Sequence, residues 1–98
     1  MMLEKVSKAL ADKNRLKIIQ YLSTGQRNVS EVADRLNVEE NLASHHLRVL
    51  AALGFLKNDK KGRGEVYYRI NETRFVALLK DLNRSKVFKD ILLKALED

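Results

Sequence analysis

Apolar residues recur every three or four positions through most of this chain, and one central stretch alternates instead. Leu3, Val6 and Leu10 share one helical face. Asp12 is placed to cap a second helix with the buried stripe Leu16, Ile18, Ile19 and Leu22, and Gly25 ends it. Ser30 reads as the cap of a short third helix with Val32, Ala33 and Leu36 inside. Asn37-Val38 is then a tight connection to a fourth helix, from about Glu40 to Leu53, which stops at Gly54. Phe55-Leu56-Lys57 and Glu65 to Ile70 read as two strands joined by the polar loop 58–64, with its two glycines. In the second strand Val66, Tyr68 and Ile70 face one way, Tyr67 and Arg69 the other. From Glu72 the pattern is helical again, but its phase shifts. Phe75, Leu78, Leu79 and Leu82 cluster on one side; Val87, Phe88, Ile91, Ala95 and Leu96 cluster nearly opposite. Either the helix breaks near Asn83-Arg84-Ser85, or one long helix is buried on different sides at its two ends.

The predicted fold is mainly α with a small β-hairpin, in the order α-α-α-α-β-β-α(α). That is the order of a winged helix–turn–helix, and the chain's 98 residues suffice for a single such domain over 1–98. A hydrophobic fraction of 45% and a charged fraction of 33% fit a folded chain. Cysteine is absent, which excludes disulfides, iron–sulfur clusters, thiolate zinc sites and thiol redox sensing. No apolar run approaches the roughly 18 residues of a membrane span. Met1-Met2-Leu3-Glu4-Lys5 lacks the apolar core of a signal peptide, so a cytoplasmic protein without a membrane partner is expected.

Charge sharpens the picture. The net charge is +6. Between Ser44 and Arg69 the six cations Arg48, Lys57, Lys60, Lys61, Arg63 and Arg69 face only Asp59 and Glu65, a net +4. At 100° per residue the fourth helix buries Leu42, Ala43, His46, Leu47, Val49, Leu50 and Leu53. It presents Asn41, Ser44, His45, Arg48, Ala51 and Ala52 outward, with no acid beyond the first turn. Asn suits adenine edges and Arg guanine; Ser and His serve base edges or phosphate, and alanines permit close approach to a groove wall. Lys60, Lys61 and Arg63 crowd a glycine-flanked tip, where an anionic neighbour would relieve their repulsion. The DNA-binding set is therefore Asn41, Ser44, His45, Arg48, Lys60, Lys61 and Arg63, and double-stranded DNA is the expected partner.

Four segments resemble the ArsR/SmtB family of winged-helix regulators: Ala9 to Ile19, the Ser44-His45-His46-Leu47-Arg48-Val49-Leu50 run, Gly54-Phe55-Leu56, and Gly64 to Ile70. The resemblance covers roughly residues 5 to 82 with spacing preserved. It implies a homodimer, paired through its first and last helices, that binds operator DNA and represses transcription. Many members of that family sense metals through Cys-Val-Cys at the start of the third helix, where this chain has Asn28-Val29-Ser30. Others use aspartate and histidine pairs on the last helix, but from Phe75 onward this chain has no histidine. Its only histidines, His45 and His46, point about 100° apart on one helix. His46 projects inward as a structural residue, so no metal site and no cofactor are expected. Glu39-Glu40 is a further departure: acids there suit the helix dipole but repel phosphate.

No carboxylate pair, nucleophile arrangement or phosphate-binding glycine motif supports catalysis, so the chain is not read as an enzyme. The leading expectation is a DNA-binding regulator; the alternatives are a winged helix that binds protein, or a metal sensor with an atypical site. Residues 1–11 and 72–98 are expected to form dimerisation helices, with Leu3, Val6, Leu10, Val87, Phe88, Ile91, Leu92 and Leu96 at the interface. The other arrangement folds the C-terminal helix back on the first helix of its own chain.

Overall fold

Two residues separate helix α1 (Met2–Leu10) from helix α2 (Lys13–Leu22), and Asp12 caps the latter by accepting the Arg15 backbone N–H. In the computed structural model residues 2–62 and 64–97 are described, with the side chains of residues 2–4, 82, 88, 91, 92, 95 and 96 outside that description. Helix α3 (Val29–Leu36) is capped by Asn28 rather than by Ser30, which lies within the helix. Asn28 Oδ1 accepts the Glu31 N–H at 2.8 Å, and Glu31 Oε1 accepts the Asn28 N–H at 2.9 Å. This reciprocal box satisfies two backbone donors, which a lone serine could not do.

Asn37 ends α3 in the left-handed conformation, at φ 56° and ψ 49°. Its N–H bonds the Asp34 carbonyl, and the Val38 N–H bonds that of Ala33. Asparagine tolerates this conformation better than most side chains, so the chain reverses within three residues into α4 (Glu40–Ala52). The end of α4 repeats the device. Gly54, at φ 95°, lets its N–H reach Ala51 and that of Phe55 reach Leu50. That positive φ is what calls for glycine; a Cβ there would also meet the exposed Arg74 side chain, 2.8 Å from its Nε.

The wing is longer than the sequence suggests. Strand β2 runs Leu56–Lys61 and β3 runs Glu65–Ile70, paired from Leu56↔Ile70 to Lys61↔Glu65. Residues 58–61, expected in the loop, are therefore strand. Their polarity reflects hairpin arms that leave the core rather than irregular backbone. A third strand, β1 (Arg27–Asn28), pairs with β3, giving an antiparallel sheet of order β1-β3-β2. Two residues carry no readable alternation, so the hairpin of the sequence reading becomes a three-stranded sheet.

Val6, Ile18, Val32, Leu47, Leu50 and Phe55 are fully buried and form the centre of the core. Phe75 of α5 (Glu72–Asn83) meets Phe55 edge-on, with ring centroids 5.5 Å apart. That packing ties the last helices to the base of the wing. The phase shift proves to be a break: α6 (Lys86–Glu97) starts afresh after Arg84-Ser85. Helix α6 lies against α1 of its own chain. Val6 and Leu10, expected at a dimer interface, are buried in the core of the single chain, at 0% and 3% exposure. The short α1 needs that apolar face to anchor itself. Of the other expected interface residues Val87 is 68% exposed, whereas the side chains of Leu3, Phe88, Ile91, Leu92 and Leu96 lie outside the described residues.

Candidate nucleic-acid interface

Helix α4 is fixed by one side and presents the other. Ala43, His46, Leu47 and Leu50 are buried, while Asn41, His45, Arg48 and Ala52 are exposed and Ser44 is half-buried. The outward set is brought together on one helical face, as its spacing requires. Leu42, assigned to the inner side, is 43% exposed, because at the first turn no neighbouring element covers it fully. Glu39 caps α4 through its backbone only, with no side-chain hydrogen bond.

The buried flank of α4 also carries an interaction that periodicity could not reveal. Arg15 on α2 donates from Nε to the Ala9 carbonyl at the end of α1, at 2.7 Å, and from a terminal nitrogen to His46 Nδ1 at 3.3 Å. Its other terminal nitrogen lies 3.9 Å from Asp12 Oδ2. One guanidinium thus joins the end of α1, the cap of α2 and the buried flank of α4. Arginine can only donate, so His46 Nδ1 accepts and the ring is neutral with its proton on Nε2. Burial lowers the His46 pKa below its ordinary 6.5; the Asp12 carboxylate opposes this, and Arg15 and His45 add to it.

In the wing, residues paired across the ladder share a face. Lys61, Glu65, Asp59, Tyr67 and Arg69 therefore lie on the outer face, where they engage one another. Arg69 Nε bonds Asp59 Oδ2 at 3.1 Å, the Tyr67 hydroxyl bonds Glu65, and the Lys61 ammonium sits 5.6 Å over the Tyr67 ring. Lys60 lies on the opposite face, the one that carries the buried Leu56 and Tyr68 against the helices. Both lysines are exposed, but they diverge, whereas sequence proximity suggests one patch. Arg63 lies outside the described residues.

A family described as "Helix-turn-helix domain" matches residues 10–58, which span α2, α3, the turn and α4. Over 76% of its length the chain is 36% identical to a protein of Mycobacterium tuberculosis named HTH-type transcriptional repressor SmtB. It is 30% identical to an ArsR-like transcriptional regulator from Rhodococcus, with a TM-score of 0.73 over 98% of this chain and 90% of that one. The chain belongs to the ArsR/SmtB family of winged helix–turn–helix regulators. A further ArsR/SmtB-like structure, from Mycobacterium bovis, is described as a homodimeric winged helix–turn–helix DNA-binding domain. It is 30% identical, with a TM-score of 0.67 over 87% of this chain and 81% of that one. The chain spans about half the length of the curated SmtB relative, 54%. Where the ArsR/SmtB resemblance puts a metal-binding cysteine, the side chain of Asn28 is committed to the capping box of α3.

Proposed function

We propose that the chain is a homodimeric, sequence-specific DNA-binding regulator that represses transcription from a pseudo-palindromic operator. The observation that carries this reading is the outward face of α4. Asn41, Ser44, His45 and Arg48 stand together there, on a helix whose opposite face is locked into the core. A helix so held can enter a major groove without reordering its side chains' support. Lys60 and Lys61 of the wing would engage flanking phosphates. Two copies would present two α4 helices to successive major grooves.

Selection of bound duplexes from a random pool tests the reading. The expected result is enrichment of a two-fold symmetric sequence, with affinity that falls steeply as salt rises. Recovery of no enriched sequence, together with salt-insensitive binding, would refute it and favour a protein-binding role.

A further inference from the structure

Away from α4 and the wing tip, α2, β1 and α3 enclose a cleft of about 500 Å³ lined by Lys17, Gln20, Tyr21, Thr24, Arg27 and Arg35. Three of these are cations and none is a carboxylate. Among the described residues no carboxylate lies within ion-pair distance of Lys17, Arg27 or Arg35. Two of the three charges are held in place by an aromatic ring. The Arg27 guanidinium lies 4.4 Å from the Tyr21 centroid, and that of Arg35 lies 5.3 Å from it. Arg27 also donates to Thr24 Oγ1 at 3.1 Å, while the Thr24 hydroxyl donates to the Tyr21 carbonyl at 2.9 Å. Its Nε is buried and has no hydrogen-bond partner among the described residues. Pairing of β1 with β3 fixes its backbone.

Cations drawn this close repel one another, and a ring face offsets that cost only in part. The Tyr21 ring restrains the two guanidiniums before any ligand arrives, so they have less side-chain entropy to lose on binding. Guanidinium forks match the oxygens of a phosphoryl group bidentately, and a lysine adds a mobile point charge. We propose that this cleft binds a phosphoryl group, supplied either by a small phosphorylated molecule or by a nucleic-acid backbone. The site is separate from the recognition helix, and its occupancy does not depend on the operator-binding reading.

The test uses inorganic phosphate and random-sequence duplex DNA as probes. Inorganic phosphate is titrated into the 15N-labelled protein at constant ionic strength, with chloride as the replaced anion. The expected result is a saturable shift of the Arg27 and Arg35 Nε–H and Tyr21 resonances. Arg35→Gln, on an exposed side chain, should weaken that binding roughly tenfold. In the second arm the salt dependence of duplex binding is compared for the wild type, Arg35→Gln and the distant charge control Lys94→Gln. A salt slope reduced by about one unit per phosphate left unneutralised, in Arg35→Gln alone, assigns the site to backbone phosphate. A slope equal to that of the control, with saturable phosphate binding, assigns it to a small phosphorylated molecule. Shifts that never saturate, together with a slope no different from the control, overturn the proposal.

Discussion

Arg48 and Leu47 are neighbours on α4 with opposite surroundings. Arg48 is exposed, and Leu47 is fully buried in the core. Arg48→Ala should therefore weaken specific DNA binding by about 1–3 kcal/mol and leave thermal stability nearly unchanged. Leu47→Ala should cost about 2–5 kcal/mol of folding stability through the cavity it leaves. Titration of a selected operator and thermal melts of the two variants check the pair, and an Arg48→Ala protein with unaltered operator affinity would remove α4 from the interface. His46 makes a different prediction. Burial lowers its pKa in the folded chain, so below about 6.5 the unfolded chain takes up a proton that the folded chain resists. The neutral ring leaves stability intact above that pH, and stability declines as the pH falls through and below it. Urea unfolding at neutral and mildly acidic pH should show a loss that is smaller in His46→Gln. The inward direction of His46 is legible from helical projection. Arg15, 31 residues earlier in the chain, is not, because periodicity gives a side chain's direction and never its partner.

At the scale of elements, the helices are readable where apolar spacing is long and the ends carry turn residues. The end of α4 at Gly54 and the turn at Asn37-Val38 are of that kind. Short or polar elements are not. The two residues of β1 gain their strand geometry only from β3, and Asn58 to Lys61 gain theirs only from facing residues 65–68. Extension of the wing changes what its lysines can do. Lys61 is partly engaged with the Tyr67 ring on the outer face, while Lys60 shares the face that meets the helices. Lys60→Gln should then lower the salt slope of DNA binding by about one unit for each phosphate it leaves unneutralised in a half-complex, and Lys61→Gln should lower it less. Neither should change which sequence is preferred. Binding isotherms over a range of salt, on the selected operator and on a scrambled duplex, measure both properties. Equal slopes for the two variants would mean that the faces of the wing are not distinguished by the DNA.

For the whole molecule, the question raised by the sequence is where the surplus apolar surface goes. Val6 and Leu10 go into the chain's own core, and α6 folds against α1. Among the described residues, all the large apolar side chains left exposed except Leu42 lie on the last two helices. Val76 and Leu79 on α5 are 52% and 41% exposed, and Val87 and Leu93 on α6 are 68% and 60% exposed. Large aliphatic side chains left this open on two consecutive helices are ones that a second copy can cover about a two-fold axis. That symmetry is also what a pseudo-palindromic operator requires. The chain is therefore expected to be a dimer in solution without DNA. Val87→Glu and Leu93→Glu should dissociate it and weaken operator binding, although neither residue lies on α4 or the wing. Because both side chains are exposed in the single chain, the monomers should keep the helical content and core of the wild type. Sedimentation of all three proteins at micromolar concentration, with circular dichroism alongside, checks this. A wild-type chain that sediments as a monomer would sink the dimer, and unchanged dimers from both glutamate variants would move the interface off these two helices.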